Sequence, residues 1–290
     1  MKLAVHCANL SWPGGPEKLG STLADVARTA DDGGVSTLTM MDHWFQMEML
    51  GGPPEPMLEG YTSLGFLAGQ TRHLDLGLLV TGVTYRHPGL LAKIATTLDV
   101  LSGGRAMLGV GAAWYEREHR GLGVPFPPVA ERFERLEETL QIARLMFSGE
   151  GGSFSGSHYR LEEAVNVPAP VRPGGPRVLV GGSGERKTLR LVAQYADACN
   201  FFEFEPEEMR HKIEVLDRHC EEADRDPRTV QRTALIGRDP HTDADGFYRR
   251  VEEYAALGIE QVWVMPAADD PVGWVAKLCA EVRPRLEEIG

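Results

Sequence analysis

Short, continuously apolar runs alternate along this chain with stretches whose apolar residues recur every three or four positions. The runs are Leu3–Ala8, Thr37–Met41, Leu74–Thr81, Ala106–Gly111, Val178–Gly181, Ala198–Phe202, Thr233–Ile236 and Gln261–Met265. Their lack of polar alternation predicts parallel strands buried on both faces. Between them, Leu91, Ile94, Leu98 and Leu101 mark one helical face, and Phe133, Leu136, Leu140, Ala143 and Phe147 another. Phe247, Val251 and Tyr254 mark a third. Gly33-Gly34 and Gly103-Gly104 stand where C-caps would stop helices, and Pro88 and Pro271 where first turns would begin. Strand and helix in strict alternation predict an α/β fold, a (β/α)8 barrel. A doubly wound open sheet is the other architecture with this rhythm.

No linker or charge block divides the sequence, so residues 1–290 read as one domain. The Pro/Gly-rich segments 51–56, 121–129 and 166–176 read as excursions from it. The last, with Gly149–Tyr159 before it, forms a long insertion ahead of strand five.

Composition narrows the partners. A net charge of −12 with mixed signs argues against nucleic acid or an anionic membrane surface. No apolar run reaches the roughly 18 residues of a membrane span. The N-terminus does not read as a signal peptide. Cys7, Cys199, Cys220 and Cys279 are scattered without a C-x-x-C pair, so neither a metal site nor a redox pair is expected. These features predict reduced thiols and a cytoplasmic location.

In a barrel the loops after the strand C-termini build the active site. One of them is Gly181-Gly182-Ser183-Gly184, a strand–glycine–helix turn of the kind that brings backbone N–H groups to a phosphate. Its spacing meets neither common nucleotide fingerprint, and a plain turn fits it too. Asp42-His43 closes strand two. His43 is the side chain best suited to move a proton near neutrality, and a capping Asp42 with a loop histidine is the bland alternative.

Several elements together resemble the luciferase-like monooxygenase superfamily. They are Met41-Asp42-His43; Thr84-Tyr85-Arg86-His87-Pro88 with Ala92-Lys93 and Thr97-Leu98-Asp99; Leu101-Ser102-Gly103-Gly104-Arg105; Leu108-Gly109-Val110-Gly111; and the Gly181–Gly184 turn with Ala196-Asp197. With Ser11-Trp12-Pro13-Gly14-Gly15-Pro16 they look like the branch that uses the deazaflavin coenzyme F420. The resemblance implies a ring system across the strand C-termini, with Asp42 at its edge. It implies a non-proline cis peptide at Leu79-Val80, with Thr81 and Gly82 beside the ring. Ala112 and Ala113 would line the ring or ribityl chain, and Gly181, Gly182, Ser183 and Gly184 the phosphate. His43 would then be the proton donor or acceptor for hydride transfer between the deazaflavin and a carbonyl, imine or activated alkene.

The sugar-phosphate dehydrogenases of that branch carry an acid where this chain has Trp114, and an asparagine where it has Arg117. Sugar-phosphate oxidation is thereby placed in doubt, unless Glu116 or Glu118 substitutes. Trp44, Phe45, Trp114, Tyr115 and Phe126 suggest an aromatic substrate pocket, with rim packing the alternative for Phe126. Arg86, Arg117 and Arg120 are candidates for the cofactor's acidic tail or for plain surface solvation. An FMN-dependent monooxygenase is the runner-up. A metal-dependent hydrolase lacks its ligands, and a cofactor-binding protein without turnover stays open. The resemblance further implies a homodimer, with a separate enzyme reducing the cofactor. The segment through Leu58, Tyr61, Leu64, Phe66 and Leu67 is apolar on more than one side, which fits a dimer face or burial beneath loop 44–57.

Overall fold

The computed structural model describes residues 1–289. In chain order the elements are β1 (Lys2–Cys7), α1 (Pro16–Asp32), β2 (Thr37–Met40), α2 (Gly60–Ala68), β3 (Asp75–Leu78), β4 (Thr81–Gly82), α3 (Pro88–Ser102) and β5 (Ala106–Gly111). Then come α4 (Glu116–Leu122), α5 (Val129–Ser148), β6 (Phe154–Ser155), β7 (Arg160–Leu161), β8 (Arg177–Gly181), α6 (Thr188–Tyr195), β9 (Ala198–Phe202) and α7 (Pro206–Glu222). β10 (Gln231–Leu235), α8 (Ala244–Ala256), β11 (Gln261–Val264), α9 (Pro271–Lys277) and α10 (Arg283–Glu287) complete the chain.

The strands pair in the order β3-β2-β1-β11-β10-β9-β8-β5-β4, and β3 also pairs with β5. That last pairing closes a parallel barrel and excludes the open sheet. Counting β3 and β4 as one interrupted strand, each barrel strand is followed by helix, as the alternation predicts. Ala4, Met107, Leu179, Ala198 and Trp263 fill the interior, with Leu79, Val80 and Leu235 against them. A larger apolar cluster packs the other strand faces against the helices.

The helices follow their sequence signals. Pro88 and Pro271 open α3 and α9, and Gly103 ends α3 in the left-handed region at φ 70°. Phe247, Val251 and Tyr254 are fully buried. Leu101 is the exception, at 63% exposure. At about 100° per residue, it has rotated away from the stripe formed by Leu91, Ala95, Leu98 and Ser102.

The insertion expected before strand five lies between α5 and β8 and contains the antiparallel hairpin β6–β7. The buried carboxylate of Glu138 accepts from the amides of Ser157, His158 and Tyr159. Asp99 accepts from those of Val171 and Arg172. The insertion is thus tied to α5 and α3 through main-chain donors that would otherwise lack partners.

The third strand is broken where the site will form. β3 pairs Gly77 with Met107, and β4 pairs Thr81 with Val110. Four steps on one strand face three on the other, which is a bulge of one residue. The Leu79–Val80 peptide within it is cis. Glycines make room for the bulge. A Cβ on Gly109 would lie 1.9 Å from the Leu78 carbonyl oxygen. One on Gly181 would lie 2.9 Å from both Val80 methyls, and one on Gly111 3.0 Å from Val80 Cγ2.

Candidate active site

The C-terminal ends of the strands gather the predicted residues at one mouth of the barrel. β2 delivers Asp42 and His43, the bulge Leu79 and Val80, and β4 Thr81 and Gly82. β5 leads into Ala112, Ala113 and Trp114, and β8 into the glycine turn. Ala113 sits at φ 60°, a left-handed conformation uncommon outside glycine. Gly82 leaves no space for a side chain, since a Cβ there would meet Tyr85 at 2.8 Å and Ala113 at 3.1 Å.

Asp42 is buried and bound in two-pronged fashion by Arg86, at 2.6 and 3.0 Å. Arg86 also pairs with Glu59, the N-cap of α2, and lies 4.8 Å over the Tyr61 ring. Burial drives the Asp42 carboxyl above its ordinary value, against the opposing pull of the guanidinium. Among the sequence candidates for an acidic tail, Arg86 is therefore committed elsewhere. Tyr61 and Thr81 share a hydroxyl–hydroxyl hydrogen bond of 3.0 Å below it.

His43 stands beside this pair, with its side chain 13% exposed. Its Nδ1 lies 2.8 Å from Glu118 Oε1. Trp114 and Tyr115 present themselves edge-on to the imidazole, with centroids at 5.5 and 5.6 Å. Nε2 has no hydrogen-bond partner among the described residues. Glu118 comes from α4 and is fully buried. It also accepts from the amides of Trp44 and Phe45, at 2.7 and 3.1 Å, and from the Tyr85 hydroxyl. Burial alone would raise its carboxyl; the His43 and Tyr85 hydrogen bonds and the Trp44 amide outweigh burial and hold it below the usual carboxylate value. Deeper in the barrel, His6 is hydrogen-bonded to Thr39 at 3.0 Å. Burial, and then the nearby His43, push it down to about 4.

Of the residues weighed against the absent acid at position 114, Glu118 faces His43, while Glu116 is exposed and pairs with Arg120 at 2.8 Å. Trp114 itself is 57% exposed at the mouth. Tyr115 is buried, and its hydroxyl donates to Glu48 at 2.9 Å. Arg117 lies at the rim and also pairs with Glu48, at 2.7 Å. Phe126 packs against His119 and under Arg132, which is rim packing. Phe202 and Met265, which close β9 and follow β11, add exposed apolar surface at the same end.

The glycine turn divides its labour. Gly181 makes room for Val80, whereas Gly182 turns the chain at φ 108°. The Gly182 amide donates to Asn200, while those of Ser183 and Gly184 make no hydrogen bond among the described residues. A turn at residues 185–187 separates this segment from the start of α6. Among the described residues, no cluster of His, Cys, Asp and Glu could hold a metal ion, and no helix is long and apolar enough to cross a membrane.

The profile of the luciferase-like monooxygenase family matches residues 1–257. The chain belongs to that family. It is 32% identical over 166 residues to an F420-dependent glucose-6-phosphate dehydrogenase of Kineococcus radiotolerans, covering 57% of this chain and 48% of that protein. It is 31% identical over 226 residues to a phthiodiolone/phenolphthiodiolone dimycocerosates ketoreductase of Mycobacterium kansasii, covering 74% and 60%. This luciferase-like chain spans about half the length of the first of these curated relatives. Its fold superposes on an F420-dependent secondary alcohol dehydrogenase in complex with an F420–acetone adduct, with a TM-score of 0.81, 17% identity and 98% of each chain covered.

Proposed function

We propose that this protein is a coenzyme F420-dependent oxidoreductase that transfers a hydride between the deazaflavin and a small, largely apolar carbonyl, imine or activated alkene. The observation that carries the reading is His43, held at the barrel mouth by a buried carboxylate on Nδ1 and free at Nε2. The names of the relatives support the cofactor, and the ketoreductase and the acetone adduct support carbonyl chemistry.

The residues present fit the cofactor. Two unpartnered amides, Ser183 and Gly184, suit a phosphate. Gly82, Ala112 and Ala113 carry no side chain larger than a methyl beside the bulge where the ring would lie. Bound F420 supplies or accepts the hydride. With Nδ1 bound to Glu118, the imidazolium form of His43 gives its Nε2 proton as a carbonyl oxygen gains charge and is left neutral with the proton on Nδ1; in the reverse direction the bare Nε2 of that neutral form accepts the proton of the alcohol. Asp42 is fixed at the ring edge by Arg86. Trp114, Phe202 and Met265 face an apolar substrate and exclude water around it.

The same reading includes a homodimer in the cytoplasm and a separate enzyme that reduces the cofactor. On α2, Tyr61, Leu64 and Leu67 are buried within the chain, which leaves Phe66, at 45% exposure, as that helix's contribution to a partner.

Paired titrations of the apoprotein with F420 and with FMN test the cofactor. Tight F420 binding with weak FMN binding is the expected result. Preference for FMN overturns the reading in favour of an oxygen-using monooxygenase.

A further inference from the structure

We infer that Glu118 is the positioning residue of the site: it pins the imidazole proton of His43 on Nδ1 and leaves Nε2 as the nitrogen that exchanges a proton with substrate. The functional half of this statement rests on the proposed role of His43; the tautomer does not.

The argument is one of donor and acceptor counts. The amides of Trp44 and Phe45 can only donate, so Glu118 Oε2 must accept from both. Oε1 faces the Tyr85 hydroxyl and His43 Nδ1. An ionised carboxylate only accepts. This one accepts from two main-chain amides and the Tyr85 hydroxyl independently of His43, donors that favour the ionised form, in keeping with a carboxyl held below its usual value. Both groups facing Oε1 therefore donate, and the proton of neutral His43 resides on Nδ1. A buried carboxylate without such donors would be costly to keep, so the set of four is what allows a full charge at this position.

Tethering the 43–45 loop to α4 does not by itself require the charge. A glutamine oxygen would satisfy both amides equally well. Its NH2 would then face His43 Nδ1 and the tyrosine oxygen. Nδ1 would become the acceptor, and the proton would move to Nε2. Glu118→Gln therefore keeps the tether and inverts the tautomer. The other groups facing the imidazole are His6 from β1, and Trp114 and Tyr115 from the segment before α4. None of them opposes Nδ1 with a carboxylate.

The test uses apoprotein labelled with 15N-histidine and long-range 1H–15N correlation spectra near neutral pH. His43→Asn identifies the His43 signals among the nine histidines. The expected wild-type spectrum is that of a protonated Nδ1 and a bare Nε2, inverted in Glu118→Gln. A wild type protonated on Nε2 overturns the inference, whether or not the variant folds. A protonated Nδ1 that persists unchanged in a folded Glu118→Gln overturns Glu118 as its cause. In turnover with oxidised F420 and an alcohol, where Nε2 has to accept the proton, Glu118→Gln is expected to lower kcat by about 10²- to 10⁴-fold with KM little changed. If the tautomer inverts while His43→Asn keeps wild-type turnover, the positioning stands and the proton-carrying role of His43 falls.

Discussion

Replacing Arg86 by methionine tests how the site keeps Asp42 charged. The side chains of the pair are 12% and 0% exposed, so solvent screens them little. Two hydrogen bonds, of 2.6 and 3.0 Å, are lost with the guanidinium. Charges about 4 Å apart interact by about 4 kcal/mol at an effective dielectric near 20. Removing one partner of a buried pair typically costs about 3–5 kcal/mol, because the remaining charge stays desolvated. Arg86→Met should therefore lower unfolding free energy by about 4 kcal/mol at pH 7, a large share of the total for an ordinary domain.

The pH dependence has a definite sign. Burial already raises the folded Asp42 carboxyl above its unfolded value of 3.8, and losing Arg86 raises it further. The folded variant then binds a proton where the unfolded chain does not, so its stability falls as pH rises above that value. The penalty should shrink in mild acid as Asp42 becomes neutral. Asp42→Asn in the Arg86→Met background should recover most of the loss at pH 7. Urea unfolding at pH 5 and 7 of the wild type and both variants measures these differences. A penalty below about 1 kcal/mol at pH 7, or one independent of pH, refutes the reasoning.

Three further outcomes are expected. His43→Asn should cut turnover by about 10²- to 10⁴-fold while leaving F420 affinity within a factor of about two, as read by single-turnover kinetics and titration. Gly109→Ala, whose Cβ would lie 1.9 Å from the Leu78 oxygen, should cost about 3 kcal/mol in urea unfolding or yield insoluble protein. Trp114→Ala should raise KM for apolar carbonyls about tenfold and change stability by no more than about 0.5 kcal/mol, because the side chain is half exposed.

The barrel was legible because its strands are buried on both faces and so read as unbroken apolar runs. Ala106–Gly111 and Ala198–Phe202 were delimited to the residue. The third run, Leu74–Thr81, read as one strand because hydrophobicity continues through the bulge that splits it. The glycines at 109, 111 and 181 were visible as a motif, but their cause was not. Each answers a side chain or carbonyl on a different strand, and no local pattern encodes such a contact. His43 could be found from its residue type and its place after a strand. Its partner Glu118 lies 75 positions away and surfaced only as a stand-in for a missing acid. Arg86 looked like a free cation because nothing near it in sequence reveals Asp42, 44 positions earlier.

The interlocking of Gly109, Gly111 and Gly181 with Leu78 and Val80 also bears on how such a barrel can be redesigned. Repeating βα units invite shuffling, in which one unit is replaced by its counterpart from another protein. Here the wall from β3 to β8 is not modular in that sense. A transplanted β5 or β8 with side chains at those glycines would collide with the resident bulge. A transplanted β3 without the bulge would leave a gap facing three glycines. These strands therefore have to be exchanged as a block, whereas Met265, after β11, stands outside that lock and can be varied on its own to change what enters the mouth.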